Sequence, residues 1–191
     1  MSLAGGLSNA HIIEALRNGG CVLVMRHASA CSCRPSHSRT ASETARGYQL
    51  DEDGKNGARI MGEVIHQLHI YFGEVYCSPR DRARETAHLV GCRQPKELMQ
   101  LDDSSDTDAN AQAVWLRATA AQPPAPGTNI LLVTHMGNIL SCFADTLSSV
   151  APGEVLVFKP NVLQLLQPLA RVRIEGWPAI LQCDRHLALM Q

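Results

Sequence analysis

A short apolar segment that runs directly into an arginine and a histidine is the feature that most constrains how this chain can fold. Residues 21–28 read Cys-Val-Leu-Val-Met-Arg-His-Ala and follow two glycines, Gly19 and Gly20. A short run rich in β-branched residues and bounded by glycines is typical of a buried parallel strand. Arg26 and His27 then lie at the carboxyl end of that strand, which is where open α/β sheets bind their ligands.

A second segment has the same design. Residues 129–138 read Asn-Ile-Leu-Leu-Val-Thr-His-Met-Gly-Asn, so another apolar strand ends at a histidine, His135. Gly137 follows where we expect a sharp turn of the backbone. If the two strands are parallel neighbours, His27 and His135 meet above the same edge of the sheet.

The composition is that of one globular domain. The chain has 191 residues, 45% of them hydrophobic, which is enough to bury a core, and we expect a single domain over residues 1–191. Seventeen basic and eighteen acidic residues give a net charge of -1, which excludes the chain-wide positive field that nucleic acid binding requires. No apolar run is long enough to predict a membrane span.

The cysteines and the amino-terminal residues indicate the cellular compartment in which we expect the protein. Seven cysteines, an odd number at irregular spacing, favour free thiols in a reducing cytoplasm over a disulfide framework. Residues 1–6 have no charged region followed by an apolar one, so no signal peptide is predicted. We therefore expect a cytoplasmic protein, and a periplasmic one is the alternative if a leader has been removed. The oligomeric state is not predicted.

A third strand, residues 74–77, leads into a predicted helix that continues to about Val90. Ser78 and Pro79 are the residue types that favour an N-cap and a first helical position. The free N–H groups and positive dipole end of such a helix favour a phosphate group.

Three arginines, Arg80, Arg82 and Arg84, lie at the start of this helix. At 100° per residue Arg80 and Arg84 share nearly one face, and Arg82 points almost opposite. We therefore expect one of them to face the ligand and the others to be solvated or paired.

The remaining elements follow from apolar periodicity and from turn residues. A loop without apolar periodicity over residues 29–48 is expected to lie above the end of the first strand. We predict helices over residues 9–17, 52–71, 109–121 and 139–147, with Ser8 or Asn9 as the first cap and Gly73 as the stop of the second, and strands over residues 154–158 and 163–166.

Two residue groups raise the alternative of a metal site. Cys31 and Cys33 lie near His37, but no second ligand pair has zinc-site spacing. Glu63 and His66 form a single Glu-x-x-His, whereas a di-metal bundle needs two, so a solvated helix face is favoured. We predict no metal and no cofactor.

Two histidines and several arginines suit phosphoryl transfer without a metal. The fixed fork of an arginine binds phosphoryl oxygens, and a neutral imidazole attacks phosphorus and carries the phosphoryl group covalently. A carboxylic acid then protonates the leaving oxygen and later activates water. The acid-rich segment between Leu98 and Asn110 is either an exposed loop or the source of that acid.

Three motifs resemble those of the histidine phosphatase superfamily, also called the phosphoglycerate mutase-like family. Residues 24–28 (Val-Met-Arg-His-Ala) are similar to the first, in a form with alanine that is familiar from the short phosphohistidine-phosphatase branch. Residues 78–87 (Ser-Pro-Arg-Asp-Arg-Ala-Arg-Glu-Thr-Ala) are similar to the second and residues 133–138 to the third. The resemblance spans roughly residues 20 to 160.

The resemblance implies a three-layer α/β/α sandwich with a mostly parallel central sheet. It makes His27 the phosphorylated nucleophile. The residues that it assigns to binding of the phosphoryl oxygens, together with His27, are Arg26, Arg82 and His135.

The resemblance also points to the acid. The proton donor of this family is commonly an acid shortly after a leucine beyond the second motif, and Leu101 precedes two aspartates. Asp103 is therefore nominated, with Asp102 as its close rival. The branch that has an aspartate directly after the second histidine is excluded, because Met136 stands there.

The implied activity is metal-independent hydrolysis of a phosphomonoester through a phosphohistidine on His27. The expected substrate is a small phosphorylated molecule, such as a sugar phosphate, and a phosphoprotein is a further candidate. One alternative is a phosphomutase, although mutases of this family are generally longer. The other is a phospho-ligand binding or regulatory protein that has lost catalysis.

Overall fold

The computed structural model describes residues 8–31, 48–103, 108–160 and 167–189. These ranges contain six α-helices, six β-strands and two short 3-10 helices, Met99–Leu101 and Ile174–Gly176. The α-helices are α1 (Asn9–Arg17), α2 (Glu52–Gln67), α3 (Asp81–Gly91), α4 (Ala109–Ala120), α5 (Met136–Phe143) and α6 (Trp177–Ala188). The strands are β1 (Val22–Arg26), β2 (Phe72–Cys77), β3 (Lys96–Glu97), β4 (Asn129–Thr134), β5 (Val155–Phe158) and β6 (Ala170–Val172).

The strands form one sheet in the order β3-β2-β4-β1-β5-β6. The first four strands of that order are parallel to one another, and β5 runs antiparallel to both β1 and β6. β1 and β4 are paired in register, with Arg26 opposite Thr134. The sheet is mostly parallel, as predicted, and the two strands that end at histidines are parallel neighbours, which is the condition for the two imidazoles to meet.

Helices cover both faces of the sheet. Helices α1, α2, α3 and α6 pack on the face that carries Leu23 and Met25, while α4 and α5 pack on the face that carries Val22 and Val24. All four of these β1 side chains are completely buried. Because successive strand residues point to opposite faces, a strand covered on both sides is apolar throughout. The predicted three-layer α/β/α sandwich is confirmed.

Two glycines join α1 to β1. Ser8 caps α1 by accepting a hydrogen bond from the backbone N–H of His11, as predicted. Gly19 and Gly20 both have positive φ angles, 72° and 76°, which glycine adopts without strain. A Cβ atom on Gly19 would lie 2.6 Å from the carbonyl carbon of Gly127. The close approach of these two loops at the start of β1 therefore requires glycine.

Helix α2 ends earlier than predicted. It was expected to continue to about Tyr71 with Gly73 as its stop, but it ends at Gln67. His69 has a φ of +55° and supplies the left-handed residue that commonly closes a helix. Gly73 lies within β2 instead, at an irregularity where the register with β4 shifts, which is a common position for a strand glycine.

Helix α5 begins directly after His135, at Met136 rather than at the predicted Ile139, and it ends at Phe143. The prediction of a sharp turn at Gly137 is wrong, because this residue lies inside the helix without a positive φ. The chain leaves β4 through the extended backbone of His135 instead, with φ -118° and ψ 159°.

The carboxyl-terminal part of the fold was only partly predicted. Strand β6 has three residues with an arginine at its centre, and α6 buries few side chains, among them Trp177 and Ile180. Patterns this short carry little periodic signal. The strand predicted over residues 163–166 and most of the loop predicted over residues 29–48 lie outside the described residues. None of the helices in the described ranges has the length and apolar character to cross a membrane.

Candidate active site

The two histidines meet at the carboxyl edge of the sheet. His27 directly follows β1, and its backbone N–H donates to the carbonyl of Thr134 at 3.0 Å. The ring centroids of His27 and His135 lie 5.2 Å apart with the planes at 60°. Parallel pairing of β1 and β4 therefore brings together two side chains that are far apart in the sequence.

The imidazole of His27 is held in one tautomer. Its Nδ1 lies 2.8 Å from the carbonyl oxygen of Ala28, and because a carbonyl only accepts, Nδ1 carries the proton. Its Nε2 accepts a hydrogen bond from Nε of Arg82 at 3.1 Å. Burial is the largest cause that lowers the pKa of His27, from 6.5 to about 4. The ring is therefore neutral near pH 7, with a lone pair on Nε2.

Arg82 lies at the centre of the site and is the second residue of α3. Its Nη2 donates to Nδ1 of His135 at 3.0 Å and to Oδ2 of Asp103 at 2.6 Å, while its Nε donates to His27. The side chain is only 12% exposed. One guanidinium thus contacts both histidines and a carboxylate.

His135 is almost completely buried and is held at both ring nitrogens. Its Nε2 lies 2.9 Å from Oγ of Ser78, and its Nδ1 lies 3.2 Å from Oδ2 of Asp103. Burial, followed by the positive charge of Arg82, lowers the pKa of His135 to about 2. The desolvation of the ring outweighs the nearby carboxylate, so His135 is neutral.

Asp102 and Asp103 are adjacent in sequence but make different contacts. Asp103 reaches Arg82 and His135, and its side chain is 33% exposed. Asp102 is buried and accepts from Nε of Arg80 at 2.7 Å. Of the two nominated acids, Asp103 is therefore the one that the fold brings to the histidines.

The backbone of Asp102 is also anchored. Its carbonyl accepts from the side-chain amides of Gln112 in α4 and Asn138 in α5, each at 2.8 Å. Asn138 also donates to Oγ1 of Thr134 at 3.0 Å. Two helices and the end of β4 thus fix the turn from which Asp103 projects.

Ser78 has a role that the sequence pattern did not predict. It was expected to be the N-cap of α3, but the helix begins at Asp81 with Arg80 as its N-cap. The fully buried Oγ of Ser78 instead contacts Nε2 of His135 and lies 3.4 Å from Oδ1 of Asp102. The signal that points to this role is a hydroxyl at the carboxyl end of β2, on the same sheet edge as both histidines.

Thr86 is a further hydroxyl residue whose role the sequence does not predict. Its Oγ1 donates to the carbonyl of Arg82 at 2.7 Å and accepts from the backbone N–H of Ala28 at 3.1 Å. It lies one turn after Arg82 on α3. This contact ties the helix that carries the central arginine to the strand end that carries His27.

The other arginines of the second motif are paired with acids. Besides its bond to Asp102, Arg80 has its Nε 3.5 Å from Oδ1 of Asp103. Arg84 contacts Asp81 at 2.5 Å and lies 3.5 Å from Glu97. The three arginines do not all face one point, but the predicted pairing of Arg80 with Arg84 on one face is wrong. Arg80 is the extended N-cap of α3 and reaches Asp103 beside Arg82, whereas Arg84 lies apart.

Arg26 approaches the site from the end of β1. Its Nη1 donates to the carbonyl of Val150 at 2.7 Å and lies 3.5 Å from Sδ of Met136. Within the described ranges its buried Nε has no hydrogen-bond partner. Burial, followed by the charge of Arg82, lowers the pKa of Arg26. Two guanidinium groups close enough to repel each other are a setting that an anion stabilises.

One group of side chains here has the composition of a metal site. Ligand atoms of Asp102, Asp103 and His135 all lie within 4.8 Å of one another. Arg80 and Arg82 already donate to the two carboxylates at 2.7 and 2.6 Å, and their charges compete with a cation. The donor set therefore suits an anion better than a metal ion.

The two metal alternatives from the sequence do not gain support. Cys33 and His37 lie outside the described residues. Glu63 and His66 are exposed on α2, as the solvated-face interpretation predicted.

Comparison with known families and structures extends these observations. The family model of the histidine phosphatase superfamily (branch 1) matches residues 22–111, a range that includes His27, Arg82 and Asp103. The search of curated proteins finds no significant match.

Several solved structures share the fold at low sequence identity. The SixA protein from Agrobacterium tumefaciens has a TM-score of 0.56 at 14% identity, with 80% of this chain and 97% of that chain covered. The protein histidine phosphatase SixA complexed with tungstate has a TM-score of 0.51 at 17% identity, with 78% and 97% covered. A mycobacterial glucosyl-3-phosphoglycerate phosphatase complexed with VO3 has a TM-score of 0.52 at 17% identity, with 73% and 92% covered.

The structural neighbours establish the fold, and the family model covers the strand, the helix and the turn that carry three of the residues around Arg82. Together with His135 at the same sheet edge, these matches make the histidine phosphatase superfamily (branch 1) the family that this chain resembles.

Proposed function

We propose that this protein is a phosphatase that hydrolyses a phosphomonoester through a phosphohistidine on His27, without a metal ion. The observation that carries the proposal is the position of Arg82. Its guanidinium lies 3.1 Å from Nε2 of His27 and also contacts His135 and Asp103. A neutral nucleophile, a cationic group for phosphoryl oxygens and a carboxyl group therefore share one site.

In the first step, the lone pair of His27 Nε2 forms a bond to phosphorus while the ester P–O bond breaks. The incoming phosphoryl group exchanges the Arg82–His27 hydrogen bond for bonds from Arg82 to its own oxygens. The Nδ1–H of His27 remains donated to the carbonyl of Ala28, at 2.8 Å, which stabilises the positive charge that develops on the ring.

His135 binds a phosphoryl oxygen through Nδ1 in this proposal. In the substrate-free site Nδ1 accepts from Nη2 of Arg82, so the proton of the neutral ring is on Nε2. Binding of the phosphoryl group replaces this bond too, the ring changes tautomer so that Nδ1 carries the proton, and Nε2 must then accept a hydrogen bond. Ser78 meets this requirement, because its hydroxyl lies 2.9 Å from Nε2 and a hydroxyl both donates and accepts. Arg26 supplies a further positive charge at the same edge.

Asp103 is the general acid and then the general base. Asp103 is a carboxylate while it accepts from Arg82, and it takes up a proton from solvent when the phosphoryl group replaces it on Arg82. It then gives that proton to the leaving oxygen, which departs as an alcohol. In the second step the carboxylate takes a proton from water, the water oxygen bonds to phosphorus and the P–Nε2 bond breaks. Inorganic phosphate leaves, and His27 and Asp103 return to their starting states.

The bound groups in two structural neighbours support an oxyanion site. Tungstate and VO3 resemble phosphate in chemistry, and they are bound to SixA and to the mycobacterial phosphatase respectively. We propose a small phosphorylated molecule as the substrate of this chain. Because one neighbour is named a protein histidine phosphatase and the other a glucosyl-3-phosphoglycerate phosphatase, a substrate screen should include a protein phosphohistidine and glucosyl-3-phosphoglycerate.

The test is hydrolysis of p-nitrophenyl phosphate in the presence of EDTA. Wild type is compared with His27→Ala and with His66→Ala, a control that removes an exposed histidine of α2. We expect turnover that survives chelation, that is lost in His27→Ala and that is unchanged in His66→Ala. Equal turnover in His27→Ala would contradict the mechanism.

Two further readouts separate the alternatives. Transfer of the phosphoryl group to an added alcohol in preference to water would indicate a phosphomutase. Orthovanadate binding without turnover of any phosphomonoester would indicate a binding protein.

A further inference from the structure

The turn that precedes β5, residues 149–154, makes hydrogen bonds to both the side chain and the backbone of Arg26. The carbonyl of Val150 accepts from Nη1 of Arg26 at 2.7 Å. The backbone N–H of Gly153 donates to the carbonyl of Arg26 at 3.2 Å, and the N–H of Arg26 donates to the carbonyl of Glu154 at 3.1 Å. Both the guanidinium and the backbone of Arg26 are therefore attached to this one turn.

An ion pair between a buried carboxylate, Glu154, and the partly exposed Arg171 fixes the same turn. Glu154 is 4% exposed; its Oε1 accepts from Nε of Arg171 at 2.8 Å and its Oε2 accepts from the backbone N–H of Ala151 at 2.8 Å. Arg171, in the middle of β6, also donates through Nη2 to the carbonyl of Ser149 at 2.8 Å. The pair thus holds the residues on both sides of Val150.

We propose that Glu154 and Arg171 are positioning residues that orient Arg26 for binding of the phosphoryl group. The inference rests on the proposed function, which assigns Arg26 to the phosphoryl oxygens. A guanidinium is a planar fork, so its direction decides which of its N–H groups meets an oxygen. The Val150 carbonyl sets that direction, and the ion pair sets the position of the carbonyl.

The energetics favour a positioning role over a purely stabilising one. Burying a carboxylate costs desolvation energy, and pairing it with an arginine recovers about the same amount. Apolar residues in place of the ion pair would therefore stabilise the turn equally well. The ion pair instead supplies directional hydrogen bonds to two backbone groups of the turn. It acts on the phosphate site through Arg26 and is assigned no contact with the substrate.

The test compares Glu154→Gln with a matched control, Asp184→Asn. Asp184 forms an ion pair with Arg17 through two 2.8 Å bonds, and Arg17 ends α1 just before β1, at the opposite edge of the sheet from the histidines. For each variant kcat and KM for p-nitrophenyl phosphate, the Kd for orthovanadate and the Tm are measured.

We expect Glu154→Gln to lower kcat/KM and vanadate affinity by about 10- to 100-fold, because small misplacements of a binding group have effects of this size. Asp184→Asn should leave both quantities at wild-type values, and its loss of Tm should be the smaller of the two, because its ion pair is partly exposed. In an Arg26→Ala background, Glu154→Gln should cause no further loss of kcat/KM, because it acts through the residue already removed.

Wild-type kcat/KM in Glu154→Gln would overturn the inference, as would an equal fold loss in the Arg26→Ala background. If the proposed function is wrong, wild type itself lacks turnover, which distinguishes that result from failure of the positioning role. In that case the vanadate affinities of the variants still test the positioning role. Weaker binding by Glu154→Gln than by Asp184→Asn supports the positioning role, and equal binding overturns it.

Discussion

The Nη2 atom of Arg82 lies 2.6 Å from Oδ2 of Asp103, across the edge of the sheet at which β1 and β4 end. Arg82 comes from the first turn of α3, and Asp103 comes from the turn after the 3-10 helix Met99–Leu101. The bond places the proposed acid beside the group that is proposed to bind the phosphoryl oxygens. Because Asp102 does not make this bond, we expect Asp103 to act in catalysis and Asp102 to act in stability.

Asp103→Asn should lower kcat by about 100-fold or more, the usual contribution of a positioned acid, with a small change in Tm because the side chain is a third exposed. The loss in kcat/KM, which reports transfer of the phosphoryl group to His27 and not its later hydrolysis, should be smaller for p-nitrophenyl phosphate than for phenyl phosphate, because p-nitrophenolate leaves without needing a proton. Steady-state kinetics on the two esters measure this difference. Equal losses on both esters would argue against proton donation by Asp103.

Asp102→Asn should act mainly on stability. It leaves the guanidinium of Arg80 without its buried charge partner, which we expect to lower the free energy of unfolding by about 2 kcal/mol. Urea unfolding of the two asparagine variants measures the contrast. A larger loss of stability in Asp103→Asn than in Asp102→Asn would contradict the assignment of roles.

Arg82→Lys should lower kcat/KM by about 100-fold or more although it keeps the positive charge. Lysine has no planar fork, so a single ammonium cannot reproduce the bonds from Nε and Nη2 to groups on different sides of the site. Arg84→Lys is the control, since Arg84 pairs with Asp81 rather than with the histidines. Comparable losses in the two variants would show that charge near the helix start matters more than geometry.

The low pKa of His27 predicts an acid-sensitive fold. Burial lowers the pKa from 6.5 to about 4, so between these values the unfolded chain binds more protons than the folded one. Stability from this group is complete above pH 6.5 and is lost as the pH falls towards 4, by about 3 kcal/mol in total. Urea unfolding at several pH values should show a shallower decline for His27→Asn than for wild type. Parallel declines would contradict the burial argument.

Two glycine substitutions should have opposite effects on stability. A Cβ atom on Gly62 in α2 would overlap the carbonyl oxygen of Leu89 in α3, so Gly62→Ala must push the two helices apart. A Cβ atom on Gly137 in α5 would meet nothing within 4 Å. We expect Gly62→Ala to lower the free energy of unfolding by about 2 kcal/mol and Gly137→Ala to raise it by about 0.5 kcal/mol. Thermal unfolding of both variants checks the signs.

The sequence predicted the central part of the fold because β1 and β4 are covered on both faces. Strands of this kind are continuous apolar runs in the sequence, so the histidine that ends each run marks the carboxyl edge of the sheet. Element ends were less predictable. His69 closes α2 in place of a glycine, and Ser78 uses its hydroxyl for His135 instead of capping α3.

The choice between the two nominated acids could not be made from the sequence. Which of two adjacent side chains faces the site depends on the turn around Asp102, and that turn is fixed by amides from α4 and α5. The pair of Glu154 and Arg171 was missed for a similar reason. It joins two short segments through side chains that have no periodic pattern.

Trapping the phosphoenzyme tests directly whether His27 is the nucleophile. Wild type is mixed with a labelled phosphomonoester, quenched rapidly under alkaline conditions that preserve phosphohistidine, and the labelled peptide is identified by mass spectrometry. We expect a phosphoryl group on the peptide that contains His27, and none in His27→Ala. In Asp103→Asn the phosphoenzyme should form more slowly and should also be hydrolysed more slowly. Phosphorylation of another residue, or full turnover by His27→Ala, would contradict the assignment of His27.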